Sequence, residues 1–247
     1  MRINWFSNSP SACTGYGVQT KIFTPRLAKL LDKGLSITAF YGVQSGVLNM
    51  NGIKVYPNFK HPYGMDVIGA HAVWDQADAV ITLMDIWVVT PENIPMPWFP
   101  WFPIDHEPMP DNVLASLRKA TKGITMSKFG QRMAELAGID TWYVPHGVET
   151  DVFKPVDREE SRAHLEWPQD KFIVGMVAAN KGNPSRKAFY EQIAAFAALH
   201  HEHPDTMMYL HTDRGLNGGD VVNLVKFCKR MGLEIGKDVW FADPYMY

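Results

Sequence analysis

The chain has 247 residues, 46% of them hydrophobic and 20% charged, with a formal net charge of −2. That length predicts one large or two modest domains, and the composition belongs to a chain that buries a core, which excludes a disordered segment. Lys and Arg are scattered among Asp and Glu with no basic stripe, so no nucleic-acid partner is expected.

Residues 2–6 read as a short buried strand, and 7–17, rich in Ser, Pro, Thr and Gly, as a loop. Ile22, Phe23, Leu27, Leu30 and Leu31 stand at helical spacing and predict a helix over 18–33, which Gly34 ends. A second strand covers 35–41. Strand, loop, helix and strand in that order open a parallel α/β sheet. A strand at 53–56, a helix at 65–74 and a strand at 79–83 follow; the last is a continuous apolar run, as burial on both faces requires. Residues 98–102, between Pro97 and Pro103, read as a strand, and 112–119 as a helix. Then come a strand at 123–126, a helix capped by Ser127 that runs to 137 and ends at Gly138, and a strand at 141–144. About seven strands with interleaved helices make a full doubly wound domain over 1–150. The Pro-bearing stretch from Val144 to Pro155 marks the junction. A second α/β unit, 151–247, carries helices at 158–165, 186–200 and 221–231 and strands at 172–177, 207–211 and 239–241. Three strands predict a sheet that exposes an edge and an apolar face, marginal unless a partner chain or a dimer completes it.

The two cysteines, Cys13 and Cys228, are far apart and outside any CxxC pair, which fits a reducing, cytoplasmic setting. The N-terminus turns polar at Ser7, too early for the apolar core of a secretion signal. No run of about 18 apolar residues predicts a membrane span, which leaves peripheral membrane contact open. The nine histidines show no HExxH or paired-ligand spacing, so no metal is expected, and nothing calls for a cofactor.

Four segments carry candidate chemistry. Thr14-Gly15-Tyr16-Gly17 stands between the first strand and first helix, where Gly15, Tyr16 and Gly17 make either a tight turn or a phosphate or acceptor loop. It is not GxGxxG, and no acidic ribose anchor follows, so a dinucleotide oxidoreductase is disfavoured. Asp85 and Trp87 follow the strand at 79–83. A carboxylate beside an indole suits a sugar, and so does a plain packed Trp. Asp105-His106-Glu107-Pro108 follows the strand at 98–102, at the carboxyl edge where such sheets bind ligands; it reads as a tuned His between carboxylates or as a solvated loop. Finally, Asn180, Lys181, Arg186 and Lys187 lie in a Gly/Pro loop that leads into a helix. Two cations at a helix N-terminus oppose its dipole, and a bound diphosphate offsets that; the plainer reading is a surface loop.

With Ser127-Lys128-Phe129-Gly130 and Val144-Pro145-His146-Gly147-Val148, these segments resemble family 4 of the glycosyltransferases over essentially the whole chain. The resemblance implies a GT-B fold of two Rossmann-like doubly wound parallel-sheet domains, the first acceptor-side and the second, incomplete one nucleotide-sugar-binding. It implies a retaining, metal-independent transfer from a nucleotide-diphosphate sugar to an unknown acceptor, in glycan or glycolipid synthesis. Lys181 and Lys187 match the family's basic pair that holds the donor diphosphate, although Lys stands where Arg is usual, keeping charge but losing the bidentate fork. His106 matches the His near the transferred sugar and is the catalytic candidate. The family's later Glu-x7-Glu element is not found in this sequence. That departure predicts a C-terminally truncated copy or a half supplied by a separate polypeptide. It also keeps open a non-catalytic fragment or subunit that binds nucleotide or glycan.

Overall fold

A computed structural model describes residues 1–43, 45–217 and 219–243. The chain divides into two compact units, one from Met1 to Lys154 and one from Pro155 onward.

The first unit begins with β1 (Ile3–Asn8), α1 (Gly15–Ala28), β2 (Leu35–Tyr41), β3 (Leu48–Met50) and β4 (Ile53–Pro57). It continues with α2 (Ile68–Trp74), β5 (Ala79–Leu83), β6 (Trp98–Phe102), α3 (Asp111–Leu117), β7 (Gly123–Thr125), α4 (Lys128–Leu136) and β8 (Thr141–Tyr143). The strands form one sheet in the order β3-β4-β2-β1-β5-β6-β7-β8, parallel throughout except for the β3–β4 hairpin. β1 pairs with both β2 and β5, so the strand order reverses direction beside it. Such a reversal opens a crevice at the carboxyl ends of the flanking strands. Every residue of β1 is buried, as a central parallel strand covered on both faces must be. One cluster, with Phe6, Val80, Phe102 and Met133, packs against α2, α3 and α4; a second, with Trp5, Ile37 and Trp101, meets Phe23 and Leu27 of α1.

Helix α2 begins at Ile68 rather than at residue 65, and two further expectations for this unit need correction. The sheet has an eighth strand, β3, joined to β4 by Asn51 and Gly52. Both have positive φ, 53° and 84°, the conformation of a two-residue hairpin turn for which Asn-Gly is the strongest sequence signal. Helix α1 starts at Gly15 rather than Val18, because the Thr14 hydroxyl accepts a hydrogen bond from the Gly17 N–H at 3.1 Å and caps the helix early.

The second unit contains α5 (Arg158–His164), β9 (Phe172–Val177), α6 (Phe189–Glu202), β10 (Thr206–His211), α7 (Leu224–Arg230) and β11 (Val239–Phe241). Its three strands are parallel in the order β11-β10-β9. Phe189, Ile193, Phe196, Leu210, Leu224 and Val239 lie in its core. β9 forms one edge, with Phe172 65% and Val177 78% exposed. The helix expected from Arg186 begins only at Phe189. Residues 182–187 form turns, and Ala188 takes a left-handed φ of 53° just before the helix. No helix among the described residues is long and apolar enough to cross a membrane.

Candidate functional site

In the second unit, β9 and β10 run the same way, so both deliver the chain to the same side of the sheet. After Val177 the chain reaches Asn180, which is 5% exposed. The Asn180 amide donates to the carbonyls of Asp213 at 3.1 Å and Val222 at 2.7 Å, and its Oδ1 accepts from the Val222 N–H at 3.1 Å. One side chain thereby ties together the segments that follow the two strands. Gly215 sits at φ +72°, and a Cβ there would stand 2.0 Å from the Val222 carbonyl oxygen, so the close approach requires glycine. Asp220 holds the far side: its carbonyl accepts from the Gly182 N–H at 2.8 Å and its carboxylate from the Asn183 N–H at 3.0 Å. These ties frame a cavity of about 540 Å³, whose walls include Ala178, Ala179, Lys181, Thr212, Asp213 and Val221.

Lys181 lines this cavity with its side chain exposed. Asn180 lines it too, with its side-chain amide and carbonyl both bonded to the protein, so the side chain builds the wall. Arg186 and Lys187 are exposed and outside the lining, and neither lies on α6. The helix start is what differs from expectation: Lys181 borders the cavity, and α6 begins at Phe189, beyond Arg186 and Lys187. Thr212, Asp213 and Gly215 were missed by the sequence reading. The available signal was their place just past the apolar run 206–211, the same carboxyl-edge logic that singled out Asn180.

In the first unit a second cavity, about 420 Å³, opens at the carboxyl ends of β5 and β6. It brings together Asp85 and Trp87 after β5 with Asp105 and His106 after β6, and Pro103 and Pro110 complete its rim. Tyr16, in the first turn of α1, donates its hydroxyl to Asp85 Oδ1 at 3.5 Å. His106 Nδ1 lies 2.6 Å from Asp105 Oδ1, so that carboxylate fixes the imidazole and leaves Nε2 as the ring's other polar atom. Trp87 is 55% exposed. Burial raises the Asp85 carboxyl above the usual carboxylate range, Asp105's charge adds to it, and the Tyr16 hydrogen bond opposes it. Burial, and then the charge of Asp85, push the Tyr16 phenol well above its ordinary value. Glu107 is exposed and stands outside this lining.

In the glycine loop, Gly17 has a packing role. A Cβ on Gly17 would meet the Ala12 carbonyl oxygen at 2.2 Å, and the Gly17 N–H is already taken by Thr14; around Gly15 there is open space. The stretch after β8 is anchored by Gln19 of α1, whose amide donates to the Gly147 carbonyl at 3.0 Å while its Oε1 accepts from the Gly147 N–H at 2.9 Å. Among the described residues no group of three or more His, Cys, Asp or Glu side chains is placed to hold a metal ion.

No protein-family model matches the chain, and no curated protein sequence does. Solved structures do. The Escherichia coli trehalose-6-phosphate protein bound with UDP-2-fluoro glucose matches all of this chain and 74% of its own at 12% identity, with a TM-score of 0.61. WaaG, a glycosyltransferase involved in lipopolysaccharide biosynthesis, matches 98% of this chain and 70% of its own at 11% identity and a TM-score of 0.63. A UDP-GlcNAc 2-epimerase from Neisseria meningitidis bound to UDP-GlcNAc matches 100% and 73% at 9% identity and a TM-score of 0.61. The fold is of the GT-B type. The neighbours include a glycosyltransferase and an epimerase, so proteins of more than one reaction share this fold.

Proposed function

We propose that this chain is a glycosyltransferase that moves a sugar from a nucleotide-diphosphate sugar to an acceptor, in glycan or glycolipid synthesis, with retention and without a metal. The reading places it in the cytosol, where its two free cysteines stay reduced. The observation that carries it is the cavity past β9 and β10: a mostly apolar hollow of nucleotide size, framed by Asn180 and Gly215, with Lys181 at its border. The apolar wall suits a base and ribose, and Lys181 suits the diphosphate, whose negative charge grows as it departs from the sugar. The cavity past β5 and β6 takes the acceptor, with His106 as the residue that contacts the transferred sugar.

UDP, the nucleotide of the ligands in the neighbouring structures, is the first probe. Titration calorimetry is expected to show UDP binding that weakens about tenfold in Lys181→Ala, the effect of one charge-assisted hydrogen bond at an exposed site. An affinity unchanged in that variant removes the diphosphate role. Transfer itself is read from a UDP-sugar and a panel of acceptors by NMR. A product of retained anomeric configuration, formed equally with and without chelator, supports the reading; a donor merely epimerised replaces it.

A further inference from the structure

Acceptor specificity can be read from the charges around the first unit's cavity. Its lining holds two carboxylates, Asp85 and Asp105, and no Lys or Arg. Among the described residues, Asp105 has only the His106 imidazole as an ionic partner, and Asp85 has none. The two carboxylates sense each other, since Asp105's charge disfavours ionisation of Asp85. Pro103 and Pro110 have no backbone N–H, which removes donors that an anion would use. Trp87 presents an exposed indole, whose face suits the apolar side of a pyranose and attracts a cation. Each feature bears on the same question. A phosphate or carboxylate entering here would meet two carboxylates and no Lys or Arg, with Trp87, His106 and Asn112 as the side chains able to donate; an ammonium group would meet two carboxylates and an aromatic face.

We infer that this cavity selects its acceptor by charge, taking a saccharide whose groups near the accepting hydroxyl are neutral or ammonium and turning away one that carries phosphate or carboxylate there, with Asp85 and Asp105 as the specificity-determining residues. The inference rests on the reading that this cavity holds the acceptor. It is independent of the nucleotide cavity, which lies wholly in the second unit. The two carboxylates act differently. Asp85 is partly buried and fixed by Tyr16, so its charge is poorly screened; Asp105 is exposed and acts at shorter range.

The test uses the full chain and three probes: methyl glucoside, its 2-amino-2-deoxy analogue, and glucose 6-phosphate. Binding is followed through the indole N–H resonance of Trp87, assigned with a Trp87→Phe variant. The amine probe is expected to bind at least about fivefold more tightly than methyl glucoside, and glucose 6-phosphate at least about fivefold more weakly, each a modest Coulomb effect at a partly solvated site. Raising salt from about 0.01 M to about 1 M, which shortens the screening length from roughly 30 Å to roughly 3 Å, should narrow both gaps. Asp85→Asn with Asp105→Asn should bring the three probes within about twofold of one another, as removal of both charges requires. The salt series in the unmutated chain decides the matter should the double variant fold poorly. Glucose 6-phosphate binding as tightly as methyl glucoside overturns the inference, and so does an absence of binding by all three. UDP titrated in parallel separates the two readings: UDP binding without charge-ordered saccharides sinks this one alone, whereas loss of UDP binding sinks the transferase reading.

Discussion

Asn180 and Gly215 are small residues whose importance lies in what they leave no room for. Removing the Asn180 amide leaves the Val222 N–H and the carbonyls of Asp213 and Val222 without these partners beneath the cavity past β9 and β10. Buried groups left unpaired cost about 1–3 kcal/mol. Asn180→Ala is therefore expected to weaken UDP binding as strongly as Lys181→Ala does while also lowering the second unit's melting temperature, which Lys181→Ala should not do. Calorimetric scans of both variants separate a wall residue from a ligand contact. Asp85 gives the opposite stability effect. Its carboxyl pKa is raised in the folded chain, so the native state holds that proton more tightly than the unfolded state. The stabilising contribution is whole below the unfolded-state pKa and is lost as pH rises through the folded one. At pH 7 the charge is thus a burden that Asp85→Asn removes, and at pH 3 it is not. The first unit's melting temperature should rise by about 1–2 °C at pH 7, a size kept small because the side chain is partly exposed, and should not change at pH 3. An equal shift at both pH values would rule out the electrostatic cause.

At the scale of elements, strands were more legible than helix starts. Residues 35–41, 79–83, 98–102, 172–177 and 239–241 were delimited by apolar or β-branched runs between turn residues, and the structure gives the same bounds. Helix α1 was read three residues late because hydrophobic spacing begins inside the helix, whereas its start is set by the Thr14 cap. α6 was read three residues early for the converse reason: Arg186 and Lys187 are good helix formers, but the turns at 182–187 keep them out. β3 was overlooked although Asn51-Gly52 announces its hairpin, since a three-residue strand has too little pattern to stand out. Residues lining the cavities are legible in the sequence where they follow a strand, as Asp85, His106 and Lys181 do. Partners that arrive from a distant segment are illegible, as Asp213, Gly215 and Val222 are around Asn180. The shift of α6 has a functional consequence. With Arg186 and Lys187 outside the cavity, the double variant Arg186→Ala, Lys187→Ala should bind UDP within about twofold of the unmutated chain, because exposed charges off the site contribute little. The bare spacing of Lys181 and Lys187 predicts a large loss instead, and a tenfold drop would restore it.

For the whole molecule, the two units carry unequal cores. Among the described residues, the first buries 17 in one cluster and 9 in another, whereas the second buries 11 in a single cluster under a three-stranded sheet. Fewer buried apolar groups mean less to set against the entropy of ordering the chain, and β9 leaves Phe172 and Val177 in water at the sheet edge. The second unit is accordingly expected to unfold first. Fluorinated tryptophan reports each unit separately, with Trp5 and Trp101 in the first and Trp167 and Trp240 in the second. In urea, the Trp167 and Trp240 resonances should move to their unfolded positions at a lower concentration than those of Trp5 and Trp101. UDP at about 100 times its dissociation constant adds about 2.7 kcal/mol to whatever binds it. At an m-value of about 2 kcal/mol per molar, the second unit's midpoint should then rise by roughly 1 M while the first unit's stays in place. Coincident transitions in all four resonances would mean the units fold as one and that the exposed edge of β9 costs little. A UDP-induced rise in the Trp5 and Trp101 transition alone would move the nucleotide from the cavity past β9 to the first unit.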